Sequence, residues 1–119
     1  DNDHSRVQNI GNKDYLNFTV TGIDLLGDTV STTFIPALNF TVSNYSGGSP
    51  PLECTNTSIR GGRLRNNTAI NIEGVNVTRS SQSNNSLYFC IIHVPSGLTT
   101  QTYSTGGTPN EEDWTITAV

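Results

Sequence analysis

A five-residue phrase occurs twice in this chain, as Leu16-Asn17-Phe18-Thr19-Val20 and Leu38-Asn39-Phe40-Thr41-Val42, with apolar and polar residues in strict alternation. Strand side chains project alternately to opposite faces, so a period of two specifies half-buried strands and argues against amphipathic helices. Leu, Phe and Val are expected on the inner face, Asn and Thr on the outer. Ile72 and Val75-Asn76-Val77-Thr78 continue the pattern, and no stretch carries an apolar helical repeat over three turns. Strands are predicted near 15–21, 29–35, 38–44, 52–59, 68–78, 86–94, 98–104 and 112–118. Turn signals separate them: Gly27-Asp28, the Ser46–Pro51 run, Gly61-Gly62, Asn84-Asn85, Pro95-Ser96-Gly97 and Gly106–Pro109. The expectation is an all-β chain, an antiparallel β-sandwich of about 7–8 strands. A length of 119 residues suits one domain. That domain is expected over residues 14–119, preceded by a polar amino-terminal arm over 1–13 in which Val7 and Ile10 are the only large apolar side chains.

The outer faces of such strands need polar cover, and here it is mostly uncharged: 14 Asn, 17 Thr and 12 Ser against 13% charged residues. A net charge of −4, with six basic side chains, argues against a nucleic-acid partner and against an anionic membrane surface. The longest apolar runs, such as Phe89–Ile92, are far too short to span a bilayer. A secretory leader is expected to have been removed ahead of Asp1.

The Asn and Thr excess is organised. Asn-x-Ser/Thr occurs at Asn17, Asn39, Asn44, Asn56, Asn66, Asn76 and Asn84, more often than the composition alone would generate. Several of these acceptors fall on expected outward strand faces, where a glycan would leave the core undisturbed. Covalent N-linked glycans are expected, and with them an extracellular or cell-surface location. The two cysteines, Cys54 and Cys90, fit one bridge in an oxidising compartment. Chance generation of sequons by a Thr-rich β protein, and free buried thiols, are the competing readings.

Tyr88-Phe89-Cys90 resembles the Tyr-x-Cys of immunoglobulin-like domains, in which the Tyr stands two residues before the second cysteine. The resemblance implies an immunoglobulin-like sandwich. It stops at those three residues: only 35 residues separate the cysteines, no Trp lies between them, and the single Trp is Trp114.

Chemistry is sparse. Nucleophilic catalysis needs a base oriented beside its nucleophile, and His4 and His93 are isolated from any such pattern. The two histidines and two cysteines lack zinc-ligand spacing. Glu111-Glu112-Asp113 lacks the looped ligand spacing of a calcium site. Neither an enzyme nor a metal or cofactor site is expected. Arg60, Arg63 and Arg65 form the one basic cluster, readable as a surface loop or as a grip for an acidic partner or a sulfated glycan. Lys13 is the only lysine, a candidate for an isopeptide cross-link to an Asn between subunits, or simply the mark of a lysine-poor chain.

A small sequon-dense sandwich with a polar arm resembles, in composition and layout, subunits of extracellular pilus-like filaments such as archaeal threads. That resemblance implies head-to-tail polymerisation by donor-strand complementation, the chain itself being the partner, with adhesion or surface attachment as the role. The donor is expected within residues 5–21, with Val7, Ile10, Tyr15, Leu16, Phe18 and Val20 as the residues filling the neighbour's groove. The carboxyl-terminal Trp114–Val119 is the other donor candidate. The competing reading is a monomeric adhesion or receptor ectodomain binding cell-surface glycans or other cells through Pro50-Pro51, the Arg60–Arg65 loop and the 106–113 loop.

Overall fold

A computed structural model describes residues 4–44, 57–58, 61–79, 84–105 and 113–119. The chain is all-β, and among the described residues the only helical element is one 3-10 turn, Ala37–Asn39. Eleven short strands are described: β1 (His4–Gln8), β2 (Phe18–Gly22), β3 (Leu25–Gly27), β4 (Phe34–Ile35), β5 (Phe40–Ser43), β6 (Thr57–Ser58), β7 (Gly61–Arg63), β8 (Thr68–Ile72), β9 (Asn84–Ile91), β10 (Tyr103–Ser104) and β11 (Thr115–Ala118). They form a five-stranded sheet of order β1-β9-β5-β7-β6, a three-stranded sheet β11-β2-β8 and a smaller sheet β10-β3-β4. Every strand pairing is antiparallel.

The two larger sheets share one core, an arrangement consistent with a β-sandwich. Phe18, Val20 and Ile72 from one sheet and Phe40, Val42 and Leu87 from the other are all buried in the same cluster, joined by Leu64, Val75 and Val77. The alternation read from the sequence is visible in β2, where Phe18, Val20 and Gly22 are buried and Thr19 and Thr21 half-buried. In β5 it fails, because Thr41 and Ser43 are buried as well. That strand lies mid-sheet between β9 and β7 and is covered on both faces. Trp114 roofs this region, edge-to-face on Phe40 with ring centroids 4.9 Å apart and tilted over Phe89 at 6.0 Å. Its indole N–H donates to the Ile23 carbonyl at 2.8 Å, so the half-buried ring leaves no orphaned donor.

The leucines of the two matching phrases do not point inward. Leu16 is 64% and Leu38 49% exposed, because each strand begins at the following Phe. Leu38 sits in the 3-10 turn that follows Pro36, and Leu16 precedes β2, so neither belongs to the pleat that the pattern assumed.

One predicted strand and one predicted turn also change. Residues 28–33 are a loop between β3 and β4, not part of a strand over 29–35. Gln101 holds that loop: its Oε1 accepts the Thr29 and Val30 N–H groups at 2.9 and 2.8 Å, and its Nε2 donates to the Val30 carbonyl and Thr33 Oγ1 at 3.2 and 2.7 Å. Gln101→Ala should destabilise the domain by about 1–3 kcal/mol. Amide exchange in residues 28–33 should accelerate far more than in β2, and equal acceleration in both would refute the local role.

Gly61-Gly62, read as a turn, instead begins β7. A Cβ at Gly61 would collide with the Val42 carbonyl of β5, so the glycine permits the close backbone approach.

Candidate functional site

The amino-terminal arm is not a free tail over its described part. Residues 4–8 form β1 at the edge of the five-stranded sheet, in register His4↔Tyr88, Arg6↔Ser86 and Gln8↔Asn84 with β9. Val7 lies partly buried against the core, and this one apolar contact on a backbone ladder is enough to seat an otherwise polar strand. Asn9 then fixes where the strand ends. The side chain is 6% exposed; its Nδ2 donates to the Lys13 and Val77 carbonyls at 2.7 and 3.0 Å, and its Oδ1 accepts the Gly11 N–H at 2.9 Å. Asp14 Oδ1 accepts the Arg79 N–H at 2.7 Å, tying the far end of the loop to the same region.

The residues expected to act as a donor are therefore distributed over distinct environments. Val7 lies in β1, Ile10 is 83% exposed just beyond it, and Tyr15 bridges Val77 through backbone bonds of 3.1 and 3.0 Å. Leu16 is exposed, whereas Phe18 and Val20 sit in the central strand of the β11-β2-β8 sheet and are fully buried in this chain's own core. The carboxyl-terminal candidate is also paired at home: β11 runs against β2 from Thr115↔Thr21 to Ala118↔Phe18. Lys13 is exposed in the loop after Asn9.

The sequons fall into separate environments too. Asn66 and Asn76 are exposed, and Asn76 adopts a left-handed backbone with φ 49°. Asn66 Oδ1 accepts the Asp24 N–H at 3.0 Å. Asn17 is half-buried at the start of β2. Asn44 uses Nδ2 to donate to the Glu73 carbonyl at 3.0 Å, while its Oδ1 is buried without a partner. At Asn39 the acceptor nitrogen Nδ2 is itself buried and unpartnered, against the expectation that this Asn faces outward. Asn56 lies outside the described residues, and Asn84 opens β9.

Cys90 lies on β9, 6% exposed and disulfide-bonded. The sequence holds one other cysteine, Cys54, which lies outside the described residues. His93 is exposed beyond the end of β9, not within it. Arg63 and Arg65 are exposed and line a cleft of about 450 Å³ between β7 and β8, while Arg60 lies outside the described residues. Of the acidic run only Asp113 is described, and it is exposed. Among the described residues no three His, Cys, Asp or Glu side chains converge as a metal site, and no helix is long and apolar enough to cross a membrane.

No family model, curated protein or solved structure matches this chain.

Three residues that organise these regions escaped the sequence reading. Asn9 carried a local signal, the Asn-Ile-Gly sequence of an Asx-turn, which the polar character of the arm obscured. Asp24 and Gln101 carried none, since their partners lie far away in sequence.

Proposed function

We propose that this chain is the subunit of an N-glycosylated extracellular filament, joined head-to-tail by exchange of β1. The observation that carries the proposal is an edge strand whose removal would open one ladder of β9 and leave the other described strand pairings intact. A strand from one copy can take the same register on the β9 of the next, because the groove and the donor belong to the same sequence. Such a contact is heterologous and does not close on itself, so it propagates. The donor narrows to β1 with Val7 as its inward residue; Phe18 and Val20 remain in their own subunit's core, and Ile10 and the Gly11-Asn12-Lys13 bend act as the hinge. Lys13, exposed beside that hinge, is within the part of the chain where an intersubunit isopeptide bond would lie.

The immunoglobulin-like reading of the sandwich belongs to the same proposal. Tyr88 and Cys90 stand on β9, the strand that accepts β1, and the disulfide at Cys90 agrees with an oxidising, extracellular setting. Surface attachment or adhesion would be the role of the assembled fibre.

The alternative is a monomeric adhesion or receptor ectodomain. It is favoured by the same β1, which here completes its own chain's sheet. Electron microscopy of native material, with electrophoresis of unboiled samples, separates the two. Filaments that resist dissociation are the expected result; a monomeric profile at high protein concentration would reject exchange in favour of the ectodomain.

Glycosylation is tested separately, by glycopeptide mass spectrometry. Asn66 and Asn76 should be occupied in most molecules and Asn39 in few, because a sugar on a buried Nδ2 would require the 37–40 segment to move. Occupancy at Asn39 equal to that at Asn76 would overturn the ranking, and bare asparagine at all seven positions would refute the modification.

A further inference from the structure

One exposed apolar side chain has a specific candidate to cover it. Leu38 projects from the 3-10 turn at 49% exposure and lines a cleft of about 470 Å³ with Asp24, Pro36, Arg65 and Asn66. The volume lies within the range of about 300–1,000 Å³ common for sites that hold small organic groups. Leu38 and Arg65 also line the neighbouring cleft between β7 and β8, so these two side chains stand between the two clefts. At its lip stands the acceptor of the sequon Asn66-Asn67-Thr68.

The walls are held in place by a single carboxylate-bearing residue. Asp24 accepts the Ala37 N–H on Oδ1 at 2.7 Å, fixing the turn that presents Leu38. The Asp24 N–H donates to Asn66 Oδ1 at 3.0 Å, fixing the amide plane of the acceptor. The Asn67 N–H donates to the Gly22 carbonyl at 2.9 Å, and a Cβ at Gly22 would come within 2.9 Å of Leu64 Cβ, so the loop carrying Asn66 is drawn close against the core. With Oδ1 engaged, Nδ2 is the atom of this amide left to carry a sugar.

We infer that the glycan on Asn66 folds back into this cleft and acts as part of the protein surface. The first sugar would lay the C–H face of its ring on Pro36 and Leu38. The Arg65 guanidinium, which carries donors and no acceptor, would bond the sugar's hydroxyl or acetamido oxygens. This rests on the glycosylation proposed above, and on neither the filament nor the ectodomain reading.

The test uses the native glycoprotein before and after enzymatic trimming of the glycan, beside two variants. Thr68→Ala abolishes the sequon and also removes the Thr68 Oγ1 bond to the Asn66 carbonyl at 3.2 Å, whereas Thr68→Ser preserves both. The Leu38 response must appear on trimming as well as in Thr68→Ala. Glycopeptide mass spectrometry reads occupancy; methyl NMR of Leu38 and amide exchange over 37–39 read the cleft. In Thr68→Ala the Leu38 methyl resonances should move and exchange over 37–39 should accelerate several-fold, with Thr68→Ser remaining native. Arg65→Ala, at unchanged occupancy, should weaken the sugar-to-Leu38 nuclear Overhauser contacts. An occupied Asn66 with Leu38 indifferent to loss of the glycan would overturn the inference and leave glycosylation standing. An unmodified Asn66 in native material would overturn both at this site.

Discussion

A chain lacking residues 1–8 should remain monomeric under conditions in which the full chain forms fibres. The deletion removes β1, and with it the five-residue ladder from His4↔Tyr88 to Gln8↔Asn84. The β9 edge then exposes unpaired N–H and C=O groups, and the core loses the side chain of Val7. Val7 is only partly buried, so losing its contact should cost about 1 kcal/mol, beyond the lost backbone bonds. Supplying residues 1–13 as a separate peptide should restore thermal stability in a saturable way without restoring fibres, because the peptide caps the acceptor and carries no acceptor of its own. Fibres formed by the truncated chain would remove β1 as the donor. A monomeric full chain that is merely destabilised by the deletion would favour the ectodomain. Asn9→Ala offers a milder probe of the same element: by freeing the clamp on the Lys13 and Val77 carbonyls it should loosen β1 while leaving its sequence intact.

Removing the bridge should have the largest effect on stability. Cys90 is disulfide-bonded, and a pairing with Cys54, the only other cysteine in the sequence, would close a loop with 35 intervening residues. Constraining such a loop in the unfolded chain is worth about 4 kcal/mol on the chain-entropy account. The double variant Cys54→Ala, Cys90→Ala should melt roughly 12–20 °C below the parent. Reductant should lower the parent to nearly the same midpoint and leave the variant unchanged. A parent midpoint insensitive to full reduction, verified by thiol counting, would show that the bridge contributes little. Non-reducing peptide mapping should recover Cys54 and Cys90 in one linked fragment.

Much of the fold was legible because it is written in short-range alternation. The Phe-x-Val half of each matching phrase led to β2 and β5 and to four buried core residues, Phe18, Val20, Phe40 and Val42. The Leu half misled, since alternation gives the face of a residue only if the residue is still in the strand. Pro36 and the following turn end that condition for Leu38. Gly61-Gly62 misled in the opposite sense: glycine signals a turn locally, but here the missing side chain lets one backbone approach another, a need set by Val42 and invisible in the neighbouring sequence. The same applies to the acceptor sites. Every sequon was readable, yet whether the nitrogen of Asn39 or Asn66 is accessible depends on distant partners such as Asp24. The arm's pairing within its own sheet was not readable because a single valine supplies its apolar contact, too weak a pattern to tell an edge strand from an extended arm.

The Asn9 clamp has a mechanical corollary for the proposed filament. Only residues 10–14 connect the clamped end of β1 to the Tyr15–Val77 bridge; fully stretched they would reach about 17 Å, and the Asn9 bonds to the Gly11 N–H and the Lys13 carbonyl hold them shorter than that. If the clamp travels with the donated strand, neighbouring subunits must nearly touch. The resulting fibre would bend only as far as abutting domains allow, behaving as a rod with short articulations.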